Sequence, residues 1–136
     1  MGSATHSLAE HTGELAIRLE AGSLAELFAD AAGALAEVML GRPANAEGAG
    51  ERVSVQAPDG DALLVAWLDE LIFRAERACK VYGEARIERL NEREIDAVIR
   101  GEPTTELKTQ VKAATFHGLE IVDGPNGVSA TVVLDV

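Results

Sequence analysis

From Glu14 to Ala21 the chain alternates strictly: Leu15, Ile17, Leu19 and Ala21 point one way, and Glu14, Ala16, Arg18 and Glu20 the other. A period of two with one apolar face predicts a half-buried strand. Gly22 interrupts it, and Ser23 with Glu26 has the spacing of a helix capping box. Leu24, Leu27, Phe28, Ala31, Leu35, Val38 and Met39 then recur at intervals of three and four, which predicts a helix that Gly41 and Pro43 end. Residues 41–50, rich in Gly and Ala, read as a loop into a second alternating strand with Val53, Val55 and Ala57 inward. Pro58-Asp59-Gly60-Asp61 predicts a turn and a helix cap. A second helix runs to about Cys79, with Leu64, Trp67, Leu68, Leu71, Ala75 and Ala78 as its apolar stripe.

From Val81 onward the pattern is β. Segments 84–90 and 94–100 read as a hairpin turning at Asn91-Glu92, although Glu and Arg are poor strand formers. A strand from Val111 to Val122, a loop over Asp123-Gly124-Pro125-Asn126-Gly127 and a last strand from Val128 to Val136 complete the chain. The sum is an α+β domain over residues 1–136: two helices on one face of a mostly antiparallel sheet of about six strands. No sequence repeat stands out, though the element order hints at an old duplication.

Composition narrows the function. At 136 residues the chain suits one domain, and its 47% hydrophobic residues suffice for a real core. No apolar run approaches the roughly 20 residues that cross a bilayer. The start, MGSATHSLAEH, has neither the basic nor the apolar part of a signal peptide, so a cytoplasmic protein is expected. The one cysteine, Cys79, fits a reducing compartment and reads as a small buried hydrophobe rather than a reactive thiol. Twelve Lys and Arg against 23 Asp and Glu leave a formal net charge of −11. Phosphate backbones are repelled by such a surface, so direct binding to nucleic acid is not expected. A basic protein partner or a hard cation suits the charge better.

Several catalytic readings fail. The chain has no phosphate loop, no dinucleotide-binding glycine pattern, no nucleophile elbow and no Cys/His set at zinc spacing. His6, His11 and His117 are scattered. What remains is local: His11-Thr12-Gly13-Glu14 where the first predicted strand starts, Lys112 opening an apolar stretch, and Asp135 beside the terminal carboxylate of Val136. If the first and last predicted strands are neighbours, Glu14, Asp135 and Val136 offer hard oxygen ligands suited to Ca²⁺ or Mg²⁺. Taken alone, Glu14 and Asp135 read more readily as solvated strand-end charges than as metal ligands.

Five blocks in order carry a family resemblance. HTGELAIRLEAGSLAELFADAAGAL (11–35) resembles the archease opening, His-Thr-Ala-Asp followed by a strand, a Gly and an LxELFxxAA helix. DALLVAWLDELIF (61–73) is similar to that family's LLxxWLNELLY helix, and GEP (101–103), VKAATFHGLEI (111–121) and VVLDV (132–136) match its later blocks. The resemblance implies a small α+β protein that activates the GTP-dependent RNA ligase of the RtcB type. Such proteins promote ligase guanylylation and turnover in tRNA splicing and RNA repair, without joining RNA or binding a nucleotide themselves. It also implies a divalent cation, typically calcium with magnesium or manganese as alternatives, held by Glu14, Asp135 and oxygens of Val136. The family's functional lysine falls on Lys112, and His11 falls in the opening block as a second partner-activation residue.

This chain departs from the family pattern in four places. Glu14 stands for Asp and reaches one methylene further, Gly13 stands for Ala, and Asp69 stands for Asn. The segment between Gly101 and Val111 is short and lacks the usual His, with Lys108 nearest. These mark a divergent branch, whose partner can have changed with it.

Without the resemblance, Lys112 reads as a snorkelling strand lysine, His11 and His117 as strand histidines, and Trp67 as a core anchor. Asp69 and Glu70 read as exposed helix charges, and 84–94 as a solvated hairpin. Two other functions compete: a stand-alone metal-dependent enzyme on a small polar substrate, with His11 as base, and a chaperone-like binding module.

Overall fold

In the computed structural model, which describes residues 4–11, 13–116 and 118–136, the strict alternation after Gly13 is a strand with its apolar set inward. The elements are β1 (Thr5–His11), β2 (Glu14–Ala21), α1 (Leu24–Leu40), β3 (Glu47–Gln56), α2 (Gly60–Ala78), β4 (Lys80–Leu90), β5 (Glu94–Pro103), β6 (Ala113–Thr115), β7 (Val122–Gly124) and β8 (Gly127–Asp135). They form two antiparallel sheets. The larger has the order β1-β2-β8-β6, with β7 also on β8; the smaller has the order β3-β5-β4. Both helices lie over the sheets, α1 against β4 and β2, and α2 against β4, β6 and β3. The α+β class and the two-helix layer therefore stand, with eight described strands in two sheets where about six in one were expected.

The core fills the space between sheets and helices. Leu15, Ile17 and Leu19 of β2 face Val128, Ala130, Val132 and Leu134 of β8, with Phe28 and Leu35 of α1 and Trp67 and Leu71 of α2 above them, all buried. Each large side chain so buried contributes about 1.5–3 kcal/mol relative to an exposed one. The Trp67 indole N–H donates to the Phe28 carbonyl at 2.9 Å, joining the helices.

Capping follows the sequence. Ser23 Oγ accepts the Glu26 N–H, and the Glu26 carboxylate returns to the Gly22 N–H, one residue before the cap. Asp59 caps α2 through the Ala62 N–H. Cys79 is a correction: it sits past the end of α2 with φ 53, in the left-handed conformation, and is exposed. The helix stops at Ala78, itself exposed, so the apolar stripe ends at Ala75. Leaving α2 through that left-handed residue, the chain enters β4 at once, which starts the hairpin four residues earlier than its pattern predicts.

Other boundaries also moved. The presumed loop 41–50 becomes β3 from Glu47, with a register shift before Glu51. The polar start is β1, paired with β2 and tied to α1 by His6, whose ring nitrogens meet Glu37 at 2.6 Å and Asp30 at 3.3 Å. Burial opposes the charged ring, but the carboxylates of Glu37 and Asp30 outweigh it and raise the His6 pKa. The charged hairpin is a surface ladder as expected, with Glu84 on Arg100 and Glu88 on Arg52 and Arg86.

The GEP block is structural. A Cβ on Gly101 would lie 2.4 Å from the Val81 carbonyl oxygen, so only glycine lets β5 approach β4 there. Buried Glu102 takes both guanidinium arms of Arg42 and the Asn45 N–H, fastening the chain after α1 to the end of β5. The Arg42 hydrogen bond and then the Asn45 N–H hold its pKa down at about 2, against an ordinary 4.5. A depressed carboxylate stabilises the fold above its unfolded pKa and loses that contribution as pH falls through the folded one. The stability difference between wild type and Glu102→Gln should be full above about pH 4.5 and shrink toward pH 2. Urea unfolding across that range checks it; a difference independent of pH would contradict it.

Candidate functional site

The site lies where β1, β2, β8 and β6 come level at one end of the larger sheet. His11 of β1 is opposite Glu14 of β2, Glu14 is opposite Asp135 of β8, and Asp135 is opposite Ala113 of β6. Directly opposed residues such as Glu14 and Asp135 share a face, with Cβ atoms about 5 Å apart. Since Leu15 and Leu134 are buried beneath the helices, Glu14 and Asp135 stand on the outer, solvent-facing side, and both are exposed.

Backbone bonds lock this end. Gly13, with φ +74, turns β1 into β2 and offers its carbonyl to the Val136 N–H at 3.1 Å. The Lys112 N–H donates to the Asp135 carbonyl at 2.8 Å. The turn between β1 and β2, the C-terminal end of β8 and the approach to β6 thus meet within one hydrogen-bonded corner. Like charges directly opposed on a sheet repel, and among the described residues neither Glu14 nor Asp135 forms an ion pair. A cation between them would relieve that repulsion.

The donor set is all oxygen: two carboxylates and the main-chain oxygen of Val136. It fits a hard cation such as Ca²⁺. Among the described residues no third Asp, Glu, His or Cys side chain completes a metal-holding group. The side chain of His11 and the whole of His117 lie outside the described residues.

Lys112 is exposed and precedes β6, so it is not the snorkelling lysine of a long strand. That strand, expected from Val111 to Val122, is a correction. Only 113–115 and 122–124 pair with β8. Between them the Leu119 N–H turns back to the Phe116 carbonyl, and α2 takes amides that a long strand would give to a sheet.

Asp69 is a second correction. It is half-buried, and its Oδ1 accepts the Ala114 N–H at 2.8 Å. Burial pushes its pKa up, and the Ala114 N–H only partly offsets this. Asp61, eight positions earlier on α2, accepts the Ile121 N–H at 3.1 Å. Sequence reasoning missed both, because a helix carboxylate facing a distant backbone amide has no local signature. Glu70, expected exposed like Asp69, is also half-buried, where it pairs with Arg74 one turn on.

Fold and site together define a small α+β protein with an oxygen-rich corner where the turn between its first two strands meets the end of its last one. The comparisons name the family. A model described as "Archease protein family (MTH1598/TM1083)" matches residues 6–136, and the chain belongs to the archease family. It is 31% identical over 135 residues to the protein archease of Methanosarcina acetivorans, covering 93% of this chain and 92% of that one. It is 31% identical over 120 residues to the protein archease of Methanothermobacter thermautotrophicus, covering 83% and 85%. The solution structure of Methanobacterium thermoautotrophicum protein 1598 superposes with a TM-score of 0.76 at 28% identity, over 96% of this chain and 98% of that one. The crystal structure of a Thermotoga maritima protein, described as an archease and possible chaperone, shares the fold with a TM-score of 0.70 at 20% identity and 94% coverage of each.

Proposed function

We propose that this protein is a cytoplasmic, non-enzymatic activator of a GTP-dependent RNA ligase of the RtcB type, promoting ligase guanylylation and turnover in tRNA splicing or RNA repair. The observation that carries the reading is the pairing of Glu14 with Asp135, whose carbonyl takes the backbone N–H of Lys112, in a chain that matches the archease family along nearly its whole length. Glu14, Asp135 and the Val136 oxygen would hold a divalent cation there, with calcium the best fit. The cation would neutralise the opposed carboxylates and leave Lys112 as the exposed positive group of the corner. Presented to the ligase's nucleotide pocket, that ammonium would steady charge developing on the triphosphate during guanylyl transfer. The net charge of −11 keeps this chain off RNA itself, so contact is with the ligase.

Affinity capture from the native host tests the partner: a GTP-dependent ligase should co-purify, and its absence under gentle salt would count against the proposal. Purified alone, the protein should neither hydrolyse GTP nor join RNA. For the metal, calorimetric titration with Ca²⁺ should give a binding heat that Asp135→Asn weakens by at least about 10–100-fold, the loss already seen when a residue that only supports a metal ligand is changed. Equal affinities in the two proteins would remove the cation from the site.

A further inference from the structure

We infer that Asp69 is a positioning residue for Lys112: by accepting the Ala114 N–H, it holds the open edge of β6 on α2 and fixes the backbone of Lys112 where its N–H meets the Asp135 carbonyl. The inference rests on the proposed function for what Lys112 does, but not for how the segment is held.

β6 has three residues, paired on one edge to β8. Such a strand has little stability of its own, and its other edge faces α2. There Ala114 is buried, and an unpaired amide at such a place is costly. Asp69 supplies the acceptor. The Ala114 N–H thus joins β6 to a side chain of α2, and Lys112 is two residues before it. One residue nearer, Ala113 is opposite Asp135. Between Asp69 on one side and the Asp135 carbonyl on the other, residues 112–114 are clamped from both edges.

Asp61 is the matching anchor at the far end of the segment, about 12 Å along the helix at 1.5 Å per residue. It grips Ile121, seven residues beyond Ala114, so it fixes the return to β7 rather than the lysine. Asp69 therefore sits at the functional end of a two-point attachment, and the two carboxylates should have separable effects.

The test compares Asp69→Asn, Asp69→Ala, Asp69→Ser, Asp61→Ala, Lys112→Ala and the double variant Lys112→Ala/Asp69→Ala. Two readouts are used: amide hydrogen exchange, and stimulation of guanylylation of the host's ligase. Asp69→Asn retains the Oδ1 acceptor and should keep both protection and stimulation. Asp69→Ala should speed exchange at Ala114 and Lys112 by about tenfold, the scale of one lost hydrogen bond, and lower stimulation to the level of Lys112→Ala. Asp69→Ser serves if Asp69→Ala does not fold, because its shorter side chain removes the carboxylate while staying polar. The double variant should stimulate no less than Lys112→Ala alone, and Asp61→Ala should leave Lys112 protected. Unchanged exchange at Lys112 in the Asp69 variants, or losses that add in the double variant, would overturn the inference. If wild type fails to stimulate the ligase, the activator reading falls and exchange alone decides the positioning.

Discussion

Trp67→Ala should destabilise the fold by about 3–5 kcal/mol, the range for truncating a buried large aromatic. Trp67 is fully buried at the meeting of the two helices, and its indole N–H reaches the Phe28 carbonyl. Small domains have about 5–15 kcal/mol in total, so this variant should unfold at much lower urea, if it folds at all. Trp67→Phe keeps much of the volume but loses the helix-to-helix bond, and should cost clearly less. Phe73, 54% exposed on α2 and near the Arg77 guanidinium, provides the contrast. Its change to Ala should stay within about 0.5 kcal/mol. Urea midpoints rank the three; a Trp67→Ala loss near that of Phe73→Ala would mean that the core is assigned to the wrong residues.

Lys112→Ala should cut stimulation of the ligase by up to about 100-fold, limited by the unstimulated rate, as expected when a charge acting on a transition state is removed. Its effect on stability should be about 0.5 kcal/mol or less, because the side chain is exposed while the backbone N–H keeps its bond to the Asp135 carbonyl. A strong functional loss with an intact fold separates this residue from Trp67. Lys112→Arg keeps the charge but spreads it over a planar fork, so partial rescue indicates a charge requirement and no rescue a requirement for the compact ammonium. Retention of full stimulation in Lys112→Ala would take Lys112 out of the proposed mechanism.

The elements legible in the sequence are those whose stability is local or periodic. β2 and β8 announce themselves by alternation, and α1 and α2 by apolar stripes and the Ser23 and Asp59 caps. The pairing that places Glu14 opposite Asp135 needed only that the strands bearing them be neighbours. β1 was illegible because Thr5–His11 is polar and short of β-branched residues; it is held by the β2 ladder and by His6 between Glu37 and Asp30. The stretch 111–122 misleads for the opposite reason. Its residues suit a strand, but Asp61 and Asp69 draw two of its amides to α2. Cys79 is exposed because a left-handed residue ends the helix there, which no feature of its neighbours signals. The oxygen corner was thus readable from the two alternating strands that carry Glu14 and Asp135, whereas the carboxylate beside the Lys112 segment became visible only once α2 lay beside β6.

The central proposal is that this chain speeds guanylylation of a partner ligase. The direct measurement is the rate of covalent guanylylation of the host's RtcB-type ligase, with GTP and Mn²⁺, across a titration of this protein. The rate should rise and then saturate, as binding to a partner requires. Lys112→Ala should reach a far lower plateau, and Asp135→Asn should be shifted in the same direction. A rate that stays flat across the titration with wild-type protein would contradict the proposed function while leaving the archease fold untouched.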